Sequence, residues 1–204
     1  TEIHLVEMLP GLLPMEDVEI SKILRRLFED RGMNVHTSAK VEKIERLKTK
    51  VKVNITKEDG KEVIEAQMAL VAIGVQGNVE RLGLEKAGVN VDKNYIQVNE
   101  VYQTSVPNIY AIGDVIGPPW LAHVASAEGR VAAEYICAKQ PEPLNYGNIP
   151  GCTYCRPQVA SVGMTEKAAT DAGYTLKIGR FPMRASGKAL ALGEPEGFVK
   201  VIFD

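Results

Sequence analysis

The chain has 204 residues, 45% of them hydrophobic and 25% charged, with a formal net charge of −2; this is enough to bury a core as one large domain or two small ones, at a composition ordinary for soluble globular proteins. A near-neutral charge with no gathered run of Lys and Arg gives no electrostatic case for nucleic acid, and no apolar run of roughly 18 residues is present to span a membrane. Three cysteines make no disulfide framework, and Thr1-Glu2-Ile3-His4 lacks the basic start and apolar stretch of a signal peptide, so a reducing, cytoplasmic setting is expected.

The chain opens in a strand, Glu2 to Glu7, without a cap or leader, and closes in another, Gly197 to Asp204, without a covering tail. A fragment of a longer protein is therefore expected. After the turn-rich Pro10-Gly11-Leu-Leu-Pro14, the spacing of Ile20, Ile23, Leu24, Leu27 and Phe28 predicts an amphipathic helix over Asp17 to Arg31, stopped by Gly32. Strands are expected at Val41 to Leu47, Val51 to Thr56 and Glu62 to Ala66. The last two are joined by Glu58-Asp59-Gly60-Lys61, in which Asp-Gly is a hairpin signal. Met68 to Ile73 is an uninterrupted apolar run ending at Gly74, the pattern of a buried parallel strand.

Leu82 to Ala87 reads as a short helix closed by Gly88, followed by a loop-like segment to Gln103. A short apolar strand, Ile109 to Ile112, then runs into Gly113-Asp114. After Gly117-Pro-Pro119 an alanine-rich helix is expected from Leu121 to Lys139, and Pro141-Glu-Pro143 breaks it as the clearest linker. Beyond the linker, strands are expected at Val159 to Val162, Lys177 to Arg180 and Phe198 to Phe203. A helix from Thr165 to Ala172 carries Thr165 as its N-cap, with Gly173 closing it. The pattern is α/β before Pro141 and antiparallel α+β after it.

Gly113 permits a sharp turn and close ligand approach, and Asp114 sets a carboxylate at the end of the strand, the edge where open α/β sheets bind ligands. A carboxylate accepts hydrogen bonds from a polyhydroxylated ligand; an aspartate after a strand is also a common turn or cap residue. Leu121-Ala122-His123 open a helix whose first N–H groups and dipole favour partial negative charge. His123 reads as a ligand, a base or a packing residue. Glu7 ends the first strand. An acidic residue at the end of the second strand of a dinucleotide-binding βαβ unit bonds the ribose 2′-hydroxyl and repels a 2′-phosphate, which selects NAD over NADP; a solvated strand-end charge is the plainer alternative. No Gly-x-Gly occurs anywhere in the chain, so either the fingerprint precedes Thr1 or there is no dinucleotide site.

Cys152-Thr-Tyr-Cys155 could be a redox pair or half a zinc site. Only Cys137, His4, His36 and His123 remain as further metal ligands, none at ligand spacing. Arg156-Pro157 follows in surroundings that read as strand rather than as a helix start, which leaves two structural thiols as the reading. Neither a Gly-x-Ser-x-Gly, a P-loop nor a paired-carboxylate arrangement is found.

The run Thr104-Ser-Val-Pro-Asn-Ile-Tyr-Ala-Ile-Gly-Asp114, with Leu121-Ala-His123 behind it, resembles the second flavin-contacting motif of the pyridine nucleotide-disulfide oxidoreductases, most nearly their dihydrolipoamide dehydrogenase branch. Leu70-Val-Ala-Ile-Gly74 is similar to the strand before that family's NAD-contacting glycine. Pro157-Gln-Val-Ala-Ser-Val-Gly163 and Gly197-Phe-Val-Lys-Val-Ile202 look like the start of its dimerisation domain. The matches are collinear over essentially the whole chain.

The resemblance implies partial Rossmann-like NAD and FAD domains followed by the start of an α+β interface domain. Residues 1–77 would be most of the NAD domain, 78–144 the returning part of the FAD domain, and 145–204 an incomplete dimerisation domain. Asp114, on the Gly113 turn, would bind the flavin ribityl chain. Trp120, Leu121, Ala122 and His123 would lie along the isoalloxazine ring, and Glu7, Val41 and Gly74 would contact NAD. It implies an enzyme that oxidises dihydrolipoamide, carried on a lipoyl domain, with NAD through FAD and a redox disulfide. Such an enzyme would be a homodimer serving a 2-oxo acid dehydrogenase complex.

Two departures stand out: Gly74-Val-Gln-Gly77 where the family often has Gly-Arg-x-Pro, and Cys155-Arg-Pro-Gln158 where it often has Thr-His-Pro-Glu. The family's flavin fingerprint, redox cysteine pair and His-Glu acid/base pair fall outside 1–204, so the chain carries no catalytic residue. Cys152 and Cys155 do not match that pair in position or spacing. The rival readings are another member of the family, such as a glutathione or mercuric reductase, and a non-catalytic association domain using the sheet after Pro141.

Overall fold

A computed structural model describes all 204 residues. In chain order the elements are β1 (Ile3–Val6), α1 (Val18–Asp30), β2 (Met33–His36), β3 (Lys40–Arg46), β4 (Val51–Lys57), β5 (Gly60–Ala66), α2 (Leu84–Ala87), β6 (Val91–Asp92) and β7 (Tyr95–Ile96). After these come α3 (Ala122–Ile136), β8 (Gly151–Thr153), β9 (Val159–Ser161), α4 (Glu166–Asp171), β10 (Lys177–Pro182), α5 (Gly187–Ala191) and β11 (Phe198–Phe203). They fall into two compact units, Thr1–Leu70 with Pro150–Asp204, and Val71–Ile149. No helix is long and apolar enough to cross a membrane.

The first unit opens with a βαβ arrangement. β1 and β2 pair in parallel, Ile3 opposite Met33 through Val6 opposite His36, and α1 is the crossover that parallel pairing requires. The Asp17 side chain accepts from Glu19 N–H at 3.0 Å to start the helix, and Gly32, at φ +83°, turns the chain into β2. Ser21, Leu24 and Leu27 are buried, with Ile20, Ile23 and Phe28 half-buried beside them, the stripe read from the spacing. β2 was not among the expected strands. Met33-Asn-Val-His36 is four residues directly behind the Gly32 stop, too short to show a period of its own.

β3, β4 and β5 form an antiparallel sheet whose last two strands pair from Val51–Ala66 to Lys57–Gly60. The hairpin therefore turns on Glu58-Asp59, with Gly60 already in the ladder. Ala39, Ile55 and Ile64 are buried together, and Val6 and Val53 pack on them.

In the C-terminal segment β8 pairs with β9, and β10 with β11 in register from Lys177–Phe203 to Pro182–Phe198. Thr165 caps α4 as expected, its hydroxyl accepting from Ala168 N–H at 3.2 Å. Thr165→Ala should lower the unfolding free energy by about 1 kcal/mol, seen as an earlier urea midpoint; an unmoved midpoint would contradict the cap. α5 lies in a stretch for which no element was expected.

Lys200 ties β11 to the starts of α1 and α4. Its side chain is 6% exposed, and Nζ donates to Asp17 Oδ2 at 2.9 Å, Glu19 Oε1 at 3.2 Å and Glu166 Oε2 at 2.6 Å. Arg180 adds a fork onto Glu19, with Nε 2.9 Å from Oε2. That fork, helped by Lys200, holds the Glu19 carboxyl down at about 2 against an ordinary 4.5. Burial acts to raise Asp17, but the bonds from Lys200 and from the backbone of Glu19 and Glu166 outweigh it and leave Asp17 below its usual value. A depressed carboxyl stabilises the fold above its unfolded value and loses that contribution as pH falls through the folded one. Stability should accordingly decline from about pH 4.5 towards pH 2, and the decline should be shallower in Glu19→Gln; equal acid slopes would contradict it.

In the second unit, Val89, Ile96 and Ala111 are buried in one cluster and Tyr102, Val131 and Ala132 in another. Three expectations are corrected over residues 68–112. The segment before Gln103 is not all loop: β6 and β7 form a small hairpin on Lys93 and Asn94, at φ +47° and +67°. Asn tolerates that conformation, but Lys gives no turn signal. Ile109 to Ile112 is an extended segment with a single bridge, Gln103 to Tyr110, held by Ala111 N–H to Tyr102 O at 3.0 Å.

The third correction is larger. Met68 to Ile73 is not a buried strand: Met68, Leu70 and Ile73 are 87%, 92% and 94% exposed, and no strand pairs with the run. Apolar continuity encodes cover on both faces and neighbours at both edges, and these residues receive neither. The helix ends are closer to expectation: α2 begins at Leu84, and α3 stops at Ile136, where Cys137 and then Ala138, at φ +57°, end it.

Candidate functional site

The extended segment before Gly113 delivers the chain into a 3₁₀ turn, Gly113–Ile116. Gly113 sits at φ +72°, and a Cβ there would lie 3.1 Å from the Ala125 side chain in the first turn of α3. Both the conformation and the contact favour glycine. Asp114 is exposed on this turn. Trp120, 40% exposed, leads into Leu121, the N-cap of α3, which provides no side-chain cap. Ala122 and His123 are exposed in the first turn. Gly113-Asp114 and residues 120–123 are thus attached to the beginning of one helix, whose N-cap residue supplies no side-chain acceptor to the first amides.

Beneath this turn lies a group that the sequence reading missed. Glu128, 3% exposed, accepts from Gly113 N–H at 2.7 Å through Oε2 and from the Tyr146 hydroxyl at 2.7 Å through Oε1. The Tyr102 and Tyr146 hydroxyls are 3.1 Å apart. Burial, together with the bond to Glu128, pushes the Tyr146 hydroxyl well above its usual range, and burial raises Tyr102 as well. The available signal was an acidic residue on the apolar stripe Val124, Glu128, Val131.

The other expected contacts divide between the units. Glu7 follows the carboxyl end of β1. Its N–H donates to His36 O at 2.8 Å, its carbonyl accepts from Ala39 N–H at 3.0 Å, and its Oε1 accepts from Leu9 N–H at 2.8 Å. Val41 lies in β3, 40% exposed, at a bulge before Lys43. Gly74 belongs to the second unit, at φ +134° with open space where a Cβ would stand. Three residues before Glu7, His4 stacks on His36 with ring centroids 5.5 Å apart. Burial and the charge of Lys57 hold His36 below the ordinary imidazole value.

Cys152, Cys155 and Cys137 are free thiols, and Cys155 Sγ donates to Pro157 O at 2.9 Å. No three His, Cys, Asp or Glu side chains gather as a metal site.

The family model for pyridine nucleotide-disulphide oxidoreductase matches residues 1–129, and that for the family's dimerisation domain matches residues 149–204. Dihydrolipoyl dehydrogenase of Rhizobium etli is 47% identical over the whole chain, which covers 43% of that protein. The Bacillus subtilis protein of the same name is 44% identical, again with 43% covered. Among solved structures, LpdA of Mycobacterium tuberculosis superposes with a TM-score of 0.88 at 28% identity, over 99% of this chain and 44% of its own. The HOCl-induced flavoprotein disulfide reductase RclA of Escherichia coli gives 0.90 at 25% identity, over 100% and 46%. The chain thus spans less than half the length of these relatives. With both models matching in order and nearly the whole chain accounted for, it belongs to the pyridine nucleotide-disulfide oxidoreductase family.

Proposed function

We propose that this chain is the NAD-contacting part, the returning FAD-contacting part and the start of the dimerisation domain of a dihydrolipoyl dehydrogenase. The boundaries proposed are 1–77, 78–144 and 145–204. The observation that carries the reading is the Gly113-Asp114 turn packed on the start of α3, a helix without a side-chain cap. A carboxylate next to a helix start that its own N-cap side chain does not cap suits a ligand that has hydroxyls at one end and an electron-rich ring at the other. FAD has that chemistry, and the donor set fits it.

In this reading Asp114 accepts from the ribityl hydroxyls. The backbone of Trp120 to His123 lines the ring, and the α3 dipole favours negative charge on the pyrimidine side. When bound, FAD would supply the electron transfer between a dithiol–disulfide pair and the nicotinamide. Glu7, at the carboxyl end of a parallel strand, accepts from the adenosine ribose and disfavours a 2′-phosphate. The Leu9 N–H bond to its Oε1 restrains the Glu7 carboxylate. Val41 and Gly74 give backbone and small-surface contacts to NAD.

The substrate would be dihydrolipoamide on a lipoyl domain, the assembly a homodimer in a cytoplasmic 2-oxo acid dehydrogenase complex. The full-length protein, assayed with dihydrolipoamide, glutathione disulfide and mercuric ion, should turn over the first with NAD and leave the others near background. Preference for either of the others would move it to another branch of the family. The 204-residue chain by itself should show no dihydrolipoamide oxidation, because it offers neither a redox cysteine pair nor an acid/base pair. Measurable turnover by the purified chain would contradict this.

A further inference from the structure

We infer that Glu128 is a positioning residue for FAD: its buried carboxylate fixes the Gly113 backbone from which Asp114 is presented. The inference rests on the FAD reading of Asp114. A carboxylate on the core stripe of α3 is a costly choice for helix packing alone, since an apolar residue would fill the same space without needing partners. Glu128 is 3% exposed between Val124, at 2%, and Val131, at 0%, so its position is a core position. Its two oxygens are both used, one on Gly113 N–H and one on the Tyr146 hydroxyl, each at 2.7 Å.

The first of these bonds is the informative one. Gly113, at φ +72°, has the widest conformational choice of any residue type, and Asp114 is the next residue along. A charge-assisted bond to its N–H removes that choice before a ligand arrives, which lowers the ordering cost of binding. The second bond anchors the carboxylate from behind. Burial and the carboxylate hold the Tyr146 hydroxyl in its protonated form, so it remains a donor throughout neutral pH, and Tyr102 backs it at 3.1 Å. Glu128 touches no ligand in this scheme. It acts through Gly113.

The test compares Glu128→Gln, Glu128→Ala and Tyr146→Phe in the full-length protein. Three readouts are needed: FAD dissociation constant by flavin fluorescence on the apoprotein, NAD dissociation constant, and apoprotein unfolding midpoint. Glu128→Ala, which removes the acceptor of the Gly113 N–H, should bind FAD at least tenfold more weakly, and Glu128→Gln, whose amide oxygen still accepts but without the charge, should lose less; NAD affinity should stay within twofold of wild type in both. Tyr146→Phe, which leaves the Gly113 bond in place, should lower the unfolding midpoint as much as Glu128→Gln does yet keep FAD affinity within threefold. If the FAD loss in Glu128→Ala is no greater than in Tyr146→Phe, or if FAD and NAD affinities fall together in both Glu128 variants, the group is merely structural and the inference is overturned. A wild-type protein that binds no FAD would instead overturn the reading of Asp114 itself.

Discussion

Lys200→Met in the full-length protein should cost about 3 kcal/mol of unfolding free energy, the low end of what removing one partner from a buried ion pair costs. The Lys200 side chain is 6% exposed and that of Asp17 14%, so the substitution leaves a poorly solvated carboxylate without its cation. Glu19 and Glu166 are 38% and 39% exposed and recover some hydration, and Glu19 keeps its fork from Arg180, which is why the higher end of the range is not expected. The same cluster joins the first turn of α1 to α4 and β11, elements matched by two different family models.

Arg26→Ala provides the contrast. Its partner Glu196 lies 3.2 Å away, with side chains 60% and 59% exposed, and exposed pairs contribute at most about 1 kcal/mol and often nothing measurable. Equilibrium urea unfolding of both variants measures the difference. Similar losses would mean that burial of the Lys200 cluster does not govern its worth.

Asp114→Asn should weaken FAD binding roughly 10- to 150-fold, the equivalent of the about 1.5–3 kcal/mol that hydrogen bonds to a charged group contribute. Asparagine keeps the volume and one acceptor oxygen, so the loss reports the charge and the second acceptor rather than a hole. Asp114 is exposed on its turn, and a surface substitution of this kind moves stability by no more than about 0.5 kcal/mol. Titration of apoprotein with FAD, beside an unfolding curve, separates the two. A variant that loses FAD only in proportion to lost stability would make Asp114 a turn residue, the plainer alternative its position allowed.

The elements that carry their own signal were legible. α1 shows its stripe and its Gly32 stop, β4 and β5 their Asp-Gly hairpin signal, α4 its Thr165 cap, and β11 was bounded to the residue. What failed depends on neighbours. Met68 to Ile73 has the composition of a central strand, but a strand exists only where another pairs with it, and none pairs with this run. β2 is legible only once β1 is known to need a parallel partner. In the candidate site, the Gly113 turn and the start of α3 carry local signals, and the structure has both, Gly113 at φ +72° and α3 from Ala122. Glu128 could not be read this way, since its meaning comes from Gly113 and Tyr146, 15 and 18 residues away in sequence. Lys200 is similar: the residues facing it lie as far as 183 positions off, and no spacing rule links them.

The central claim, that this chain supplies part of a flavin site, is most directly tested by the visible spectrum of the purified full-length protein. Absorption bands of oxidised flavin are expected, with heat denaturation releasing close to one FAD per chain. A protein that purifies colourless and stays colourless after incubation with FAD would contradict the account.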